Sequence, residues 1–124
     1  MSEPLLVVDA ANVVGSVPDG WWKDRAGAAI RLRDRLARTT PGGLPDLPGP
    51  LETVMVVEGK AKNIERTEGV RVVRAPGSGD DAIVDLVATE GAGRRVVVVT
   101  ADRELRDRVI ALGAEIRGPS AIPR

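Results

Sequence analysis

Leu5-Leu6-Val7-Val8-Asp9 decides the fold, because four consecutive apolar residues are followed directly by a carboxylate. An unbroken apolar run of this length is typical of a strand buried on both faces of a parallel sheet. A carboxylate that follows a buried strand needs a partner, since an isolated charge is costly to bury. The stretch therefore predicts an interior strand whose end presents Asp9 to another group.

Similar strand patterns recur along the chain and alternate with helical patterns. Strands are predicted over residues 53–57, 70–73, 96–99 and 115–117. Helices are predicted over residues 24–38, 80–90 and 102–112, with a shorter one over 60–68. Strands and helices in this order form parallel sheets through right-handed crossovers. We therefore expect an α/β fold, a three-layer αβα sandwich with an open parallel five-stranded sheet.

One segment interrupts this alternation. Residues 39–50 contain four prolines and three glycines, a composition that predicts an exposed loop. The chain has 124 residues, and a single domain over 1–124 is expected.

The composition restricts the chemistry of any active site. The chain has neither cysteine nor histidine, which excludes thiolate ligands, Ser-His and Cys-His pairs and the usual zinc ligands. Hydrolysis would need carboxylates, hydroxyls, lysine or a hard metal ion. Basic and acidic residues balance at 18 each, which neither demands nor excludes nucleic acid. No apolar run has the length of a membrane span and no charged-then-apolar leader precedes the first strand, so we expect a cytoplasmic protein.

Acidic residues are predicted to gather at one edge of the sheet. Asp9, Glu58 and Asp102 follow three of the strand patterns, and a Pro-Gly-Ser-Gly turn leads to Asp80 and Asp81 at a helix start. Ligands of open parallel sheets bind at the edge formed by the carboxyl ends of the strands. Converging carboxylates need a cation, and oxygen ligands alone favour Mg²⁺ or Mn²⁺, which in pairs can hydrolyse phosphodiesters. A simpler interpretation stays open for each acid: the aspartates at helix starts as N-caps, and Glu58 as a solvated side chain.

Three short motifs carry a resemblance to a known family. The sequence Asp9-Ala10-Ala11-Asn12 is followed by Gly79-Asp80-Asp81-Ala82-Ile83 and by Thr100-Ala101-Asp102-Arg103-Glu104-Leu105. They resemble, in the family's order, three elements of NYN domains, a branch of the PIN-like nuclease superfamily: Asp-Gly-x-Asn, an acid at a helix start, and Ser/Thr-x-Asp-x-Asp-aliphatic. The resemblance covers nearly the whole chain and implies a PIN-like fold that acts on RNA.

The resemblance also implies residue roles. Asp9, Asp80 and Asp102 would bind the metal ions, and Asn12 would orient metal-bound water or phosphate. Glu104, which stands where the family has aspartate, would be a further acid, acting directly or through water. Glu58 and Asp81 are additional candidate acids by position. Many relatives dimerise, so a homodimer is compatible with the resemblance.

Basic and aromatic residues near the acids are candidates for substrate binding. Lys60, Lys62, Arg74 and Arg103 follow strands or adjoin the acids, and phosphate contacts dominate RNA affinity. Solvated surface charge is the alternative for each. The pair Trp21-Trp22 either stacks on an unpaired base or packs against the first long helix.

These observations predict a metal-dependent ribonuclease that hydrolyses RNA phosphodiester bonds with Mg²⁺ or Mn²⁺. The alternative is a non-catalytic RNA- or protein-binding module that retains the fold. A haloacid-type phosphatase would need a second aspartate where Ala11 stands, and a response-regulator receiver would need an aspartate at the end of the third strand. Neither pattern is present.

Overall fold

The computed structural model describes residues 3–17, 20–59 and 64–123. The strands are β1 Leu5–Asp9, β2 Gly43–Leu44, β3 Leu47–Pro48, β4 Glu52–Val57, β5 Val70–Arg74, β6 Val96–Val99 and β7 Glu115–Arg117. The helices are α1 Ala10–Gly15, α2 Arg25–Thr39, α3 Gly79–Glu90 and α4 Arg103–Ile110, with 3₁₀ turns at Trp21–Lys23 and Pro119–Ala121. The five predicted strands and three long helices are confirmed.

The main sheet is parallel throughout, with strand order β5-β4-β1-β6-β7. The strand β1 lies at its centre, where Val8 pairs with Met55 on one side and Val99 on the other. Connections leave β1 first toward β4 and β5, and later return to its other side at β6. This reversal creates a crevice at the carboxyl ends of β1 and β6, the place where open α/β sheets bind ligands.

The two faces of β1 explain why its apolar run is unbroken. Leu6 and Val8 belong to the core under α1 and α2, whereas Leu5 and Val7 belong to the core under α3 and α4. All four are at most 1% exposed. Burying such a side chain contributes about 1.5–3 kcal/mol, so both faces of the strand stabilise the sandwich. The predicted three-layer αβα architecture is confirmed.

The prediction of an exposed loop over residues 39–50 is wrong in part. Strands β2 and β3 form a small antiparallel hairpin in this segment, and their Leu44 and Leu47 are buried in the core beside α2. The Thr40 and Thr53 hydroxyls hydrogen-bond at 2.7 Å and tie the start of the segment to β4. These two leucines anchor the segment, because removing their apolar side chains from water is favourable.

Two further differences concern helices. The six-residue helix α1 follows β1 directly and was not predicted. The short helix predicted over 60–68 is wrong for residues 64–68, where Ile64 is buried in the core and Thr67 forms an isolated bridge with Val70; residues 60–63 lie outside the described part of the chain. None of the helices within the described ranges is long and apolar enough to cross a membrane.

Candidate active site

Asp9 lies at the carboxyl end of β1, at the mouth of the crevice. The residue is only 8% exposed. Its Oδ2 accepts a hydrogen bond of 2.9 Å from the Thr100 hydroxyl, and its Oδ1 accepts a longer one, 3.4 Å, from the backbone N–H of Asn12. The second contact makes Asp9 the N-cap of α1. The carboxylate therefore has the partners that its position after a buried strand required.

Two hydrogen bonds tie the loop after β6 to the end of β1 and the start of α1, and a third lies within the loop. Besides donating to Asp9, the Thr100 hydroxyl accepts from the backbone N–H of Asp102 at 3.0 Å. Since that N–H can only donate, the hydroxyl proton is left for Asp9. The Asn12 Oδ1 accepts from the backbone N–H of Ala101 at 2.7 Å. Asn12 therefore holds the loop in place, a contact that its predicted role toward water or phosphate did not include.

Asp102 caps α4, because its Oδ1 accepts from the backbone N–H of Leu105 at 3.0 Å. The capping interpretation is thus correct for this residue. It does not exclude a second role, since a carboxylate has two oxygens and about four lone-pair sites.

The N-terminus of α3 is capped by Ser78, whose Oγ accepts from the backbone N–H of Asp80 at 3.1 Å. The capping interpretation is therefore wrong for Asp80 and Asp81. Glu58, at the end of β4, accepts from the Gly79 N–H at 2.5 Å through Oε2. A Cβ at position 79 would lie 2.6 Å from that oxygen, so this approach of Glu58 to α3 depends on glycine.

The surroundings of Asp80 favour its protonated form. Partial burial raises the pKa of this carboxyl above its ordinary value, and the negative charge of Asp102 raises it next, followed by that of Glu58. Glu104 raises the pKa further, and the positive charge of Arg108 opposes the shift. Asp80 is therefore surrounded mainly by like charge, and a cation placed there would relieve the repulsion.

The pKa of Asp9 is raised as well, chiefly because the carboxyl is buried. The hydrogen bonds from Thr100 and from the Asn12 N–H lower it, and the charges of Asp80 and Glu58 raise it again. Asp9, Glu58 and Asp80 thus act on one another although they come from three separate elements. Glu58, a marginal candidate by sequence, lies within this acidic group.

The donor set fits a hard metal ion in its chemistry. It consists of carboxylate oxygens that repel one another, and the Asp80 carboxylate forms no hydrogen bond with the described residues. Within residues 3–17, 20–59 and 64–123, no group of three or more acidic side chains is arranged so that it could hold a metal ion. Asp9 and Asp102 are engaged in their hydrogen bonds instead.

The remaining candidate acids are placed differently from one another. Glu104 is exposed in the first turn of α4, close enough to Asp80 to affect its charge. Asp81 is also exposed, and its Oδ1 forms an ion pair with Arg108 at 3.0 Å. Adjacent positions on a helix point about 100° apart, so only one of the two neighbouring aspartates joins the acidic group.

The predicted phosphate ligands are not equally well placed. Arg74 ends β5, and its Nη2 donates to the Ile64 carbonyl at 3.2 Å. Arg103 is exposed at the start of α4 and forms no hydrogen bond or ion pair with the part of the chain that is described. Lys60 and Lys62 lie outside the described residues.

Comparisons with known proteins agree with this architecture. The fold is similar to that of Rae1 (YacP) from Bacillus subtilis. The superposition gives a TM-score of 0.70 at 19% sequence identity and covers 98% of this chain and 71% of that protein. A single-residue variant of Rae1 gives a TM-score of 0.73 at 16% identity, over 94% of this chain and 70% of the other. No family model and no curated protein sequence matches the chain. The likeness to Rae1 shows that the two chains share the same α/β fold.

Thr100 is the residue that sequence reasoning left out of the site. It is 2% exposed and connects Asp9 with the backbone of Asp102. Its signal was available, because it is a hydroxyl directly after the apolar run of β6 and the first position of the third motif. Its partner Asp9 is 91 residues away, however, and the sequence alone does not show that contact.

Proposed function

We propose that this chain is a metal-dependent ribonuclease of the PIN-like class, which hydrolyses RNA phosphodiester bonds. The observation that carries the proposal is the gathering of acidic residues from β1, β4, α3 and α4 at the crevice, where the Glu58 carboxylate reaches the N-terminus of α3. Burial and the charges of Asp102 and Glu58 raise the pKa of Asp80 in this group. Carboxylates that disfavour one another's charge are typical of functional sites. Their oxygen-only chemistry suits Mg²⁺ or Mn²⁺.

Asp9, Asp80 and Asp102 are the residues that would hold the ions, with Glu58 and Glu104 beside them. When bound, such ions activate water and neutralise charge on the phosphate. The chain's own contribution is to position these acids. Thr100 orients Asp9 and the backbone of Asp102, and Asn12 fixes the loop after β6 through the Ala101 N–H.

The choice of RNA rests on the motif resemblance to NYN domains, which usually act on RNA. Arg103 supports it by position, because its exposed guanidinium directly follows Asp102 and is free of partners among the described residues. Arginine binds phosphate through several N–H groups in a fixed fork. A phosphate held there would lie next to the acidic group.

The decisive experiment compares Asp80→Asn with Asp81→Asn in a cleavage assay with Mn²⁺ and single-stranded RNA. We expect the wild type and Asp81→Asn to cleave, because Asp81 is exposed and pairs with Arg108. The cleavage activity of Asp80→Asn should fall by more than about 10–100-fold, which is the loss expected when only an outer-shell partner of a metal ligand is removed. Mn²⁺ binding, followed by electron paramagnetic resonance, should weaken in the same variant. A wild type that cleaves no RNA, or an Asp80→Asn variant as active as Asp81→Asn, would refute the proposal.

The alternative, a non-catalytic RNA- or protein-binding module, is favoured by one observation. Asp9 and Asp102 both serve as N-caps, a role that needs no metal. This alternative predicts RNA or protein binding that is unchanged by EDTA, together with no detectable Mn²⁺ binding.

A further inference from the structure

A small apolar cleft adjoins the acidic group on the α2 side of the sheet. Its volume is about 180 Å³, and it lies between α1, the start of α2 and the end of β4. Ala10 and Val14 line it from α1, and Val57 lines it from β4. Ligand sites for drug-sized molecules measure roughly 300–1,000 Å³, so this cleft suits a single small ring system.

Among the described residues, one aromatic ring and one cation line the cleft. Trp21 is half-buried in its wall, and the guanidinium carbon of Arg25 lies 5.5 Å from the centre of the Trp21 ring. Aromatic rings and guanidinium planes are the surfaces on which unpaired nucleobases stack. Trp22 meets Trp21 edge to face at 6.0 Å, is 58% exposed and does not line the cleft.

The cleft and the acidic group share a residue. Glu58 lines the cleft and also raises the pKa of both Asp9 and Asp80. Ala10, at the inner wall, is the residue directly after Asp9. A group that fills the cleft would therefore lie beside the acidic group, where the proposed function places the scissile phosphate.

We infer that the cleft binds one unpaired nucleobase of the RNA, next to the phosphate that is cleaved. This inference rests on the proposed function and adds the substrate class, RNA that is single-stranded at this position. The base would stack on Trp21, and the Arg25 guanidinium would face the adjoining phosphate. An apolar ligand without a phosphate would leave Arg25 unused.

Trp21 itself reports on this contact. The chain has two tryptophans and no tyrosine, so in the Trp22→Phe variant Trp21 is the sole strongly fluorescent side chain. The variant is made together with Asp80→Asn, which should prevent cleavage, and is titrated in Mn²⁺ with two RNA probes. One is a single-stranded oligonucleotide, and the other is a ribose-phosphate chain of equal length without bases. We expect saturable quenching of Trp21 by the first probe and none by the second.

Affinity measurements provide the second arm, with Trp21→Leu and Trp22→Leu as a matched pair, both checked for folding by circular dichroism. Loss of one base–aromatic stack should weaken binding of the base-containing probe by about tenfold in Trp21→Leu. Trp22→Leu should bind as the wild type does, and neither change should affect the abasic probe. Equal quenching by both probes, or equal affinities of the two leucine variants, would overturn the inference.

The two proposals can fail separately. If the wild type cleaves RNA but Trp21 is not quenched, the ribonuclease proposal stands and the base cleft is refuted. If Trp21 is quenched only by the base-containing probe but no RNA is cleaved, the cleft stands and the catalytic proposal is refuted.

Discussion

The hydroxyl of Thr100 donates a hydrogen bond of 2.9 Å to the carboxylate of Asp9, across the boundary between β6 and β1. Both residues are buried, at 2% and 8% exposure. The same hydroxyl oxygen accepts from the backbone of Asp102. One oxygen atom therefore sets the relative position of two of the three proposed metal ligands.

Replacement of Thr100 by valine, which keeps the shape and removes the hydroxyl, should destabilise the protein. A buried polar group left without its partner costs about 1–3 kcal/mol, and here both Asp9 Oδ2 and the Asp102 N–H lose one. Urea denaturation should show a decrease of this size in the free energy of unfolding, and RNA cleavage should fall by about 10–100-fold. Thr100→Ser, which retains the hydroxyl, is the control. A valine variant as stable and active as the serine variant would contradict the assignment.

Replacement of Asn12 by alanine should release the loop after β6. The Ala101 N–H loses its acceptor, so its hydrogen exchange should accelerate. The Thr100 N–H donates to the Arg117 carbonyl of β7 at 3.0 Å and should keep its rate, which makes it an internal control. Exchange of both amides can be followed by NMR in one sample. Unchanged exchange at Ala101 would show that Asn12 does not hold the loop.

Replacement of Gly79 by alanine should displace the Glu58 side chain from the N-terminus of α3. The new Cβ would lie 2.6 Å from Oε2, and the flexible end of Glu58 can move away without disturbing the backbone. Gly77→Ala is a matched control, because a Cβ there meets nothing within 4 Å. We expect Gly79→Ala to be less stable than Gly77→Ala by about 1 kcal/mol, the net value of one hydrogen bond. Equal thermal stabilities would indicate that the Glu58–Gly79 contact contributes nothing.

Removal of the Asp80 charge should stabilise the protein when divalent ions are absent. The pKa of Asp80 is raised by folding above its ordinary value of 3.8, so the folded state binds the proton more tightly than the unfolded state. The resulting stability is fully present below the unfolded pKa and is lost as the pH rises through the folded pKa. In EDTA, the Tm of Asp80→Asn should therefore exceed that of the wild type increasingly as the pH rises through this window.

Addition of Mn²⁺ at neutral pH should then reverse the order, because an ion that binds only the folded wild type raises its Tm. Asp81→Asn serves as the reference for loss of an exposed charge on the same helix. A Tm difference between Asp80→Asn and wild type that does not depend on pH would contradict the raised pKa.

The strands could be predicted from the sequence because their signal is local. Residues such as Leu5 to Val8 are apolar without interruption, since the sheet is covered on both faces. The helix α1 could not be predicted, because a segment of six residues is too short to show a helical period. The positions of Leu44 and Leu47 were predicted wrongly for a different reason. The prolines and glycines around them do form turns, but the burial of the two leucines depends on the space beside α2, which the local sequence does not show.

The acids at the strand ends could likewise be predicted to share an edge, because parallel strands fix their direction. The sequence does not predict, however, which of these acids lie close enough to affect one another's charge. Asp80 and Asp81 are neighbours in sequence, and the orientation of α3 against the sheet determines that only Asp80 joins the group while Asp81 pairs with Arg108. Glu58 joins because Gly79, 21 residues later, lets its carboxylate approach.

The central place of β1 in the sheet also has a consequence for the order of folding. Its two neighbours come from distant parts of the chain, and the Asp9–Thr100 contact closes a separation of 91 residues. Contacts of such long range form slowly, because the entropy of closing the loop must be overcome before they contribute. A chain in which β6 has not yet docked has neither a completed β1 nor Asp102 beside Asp9. The hydrolytic capacity that we propose would therefore depend on the completely assembled sheet, and a chain without a docked β6 would lack it.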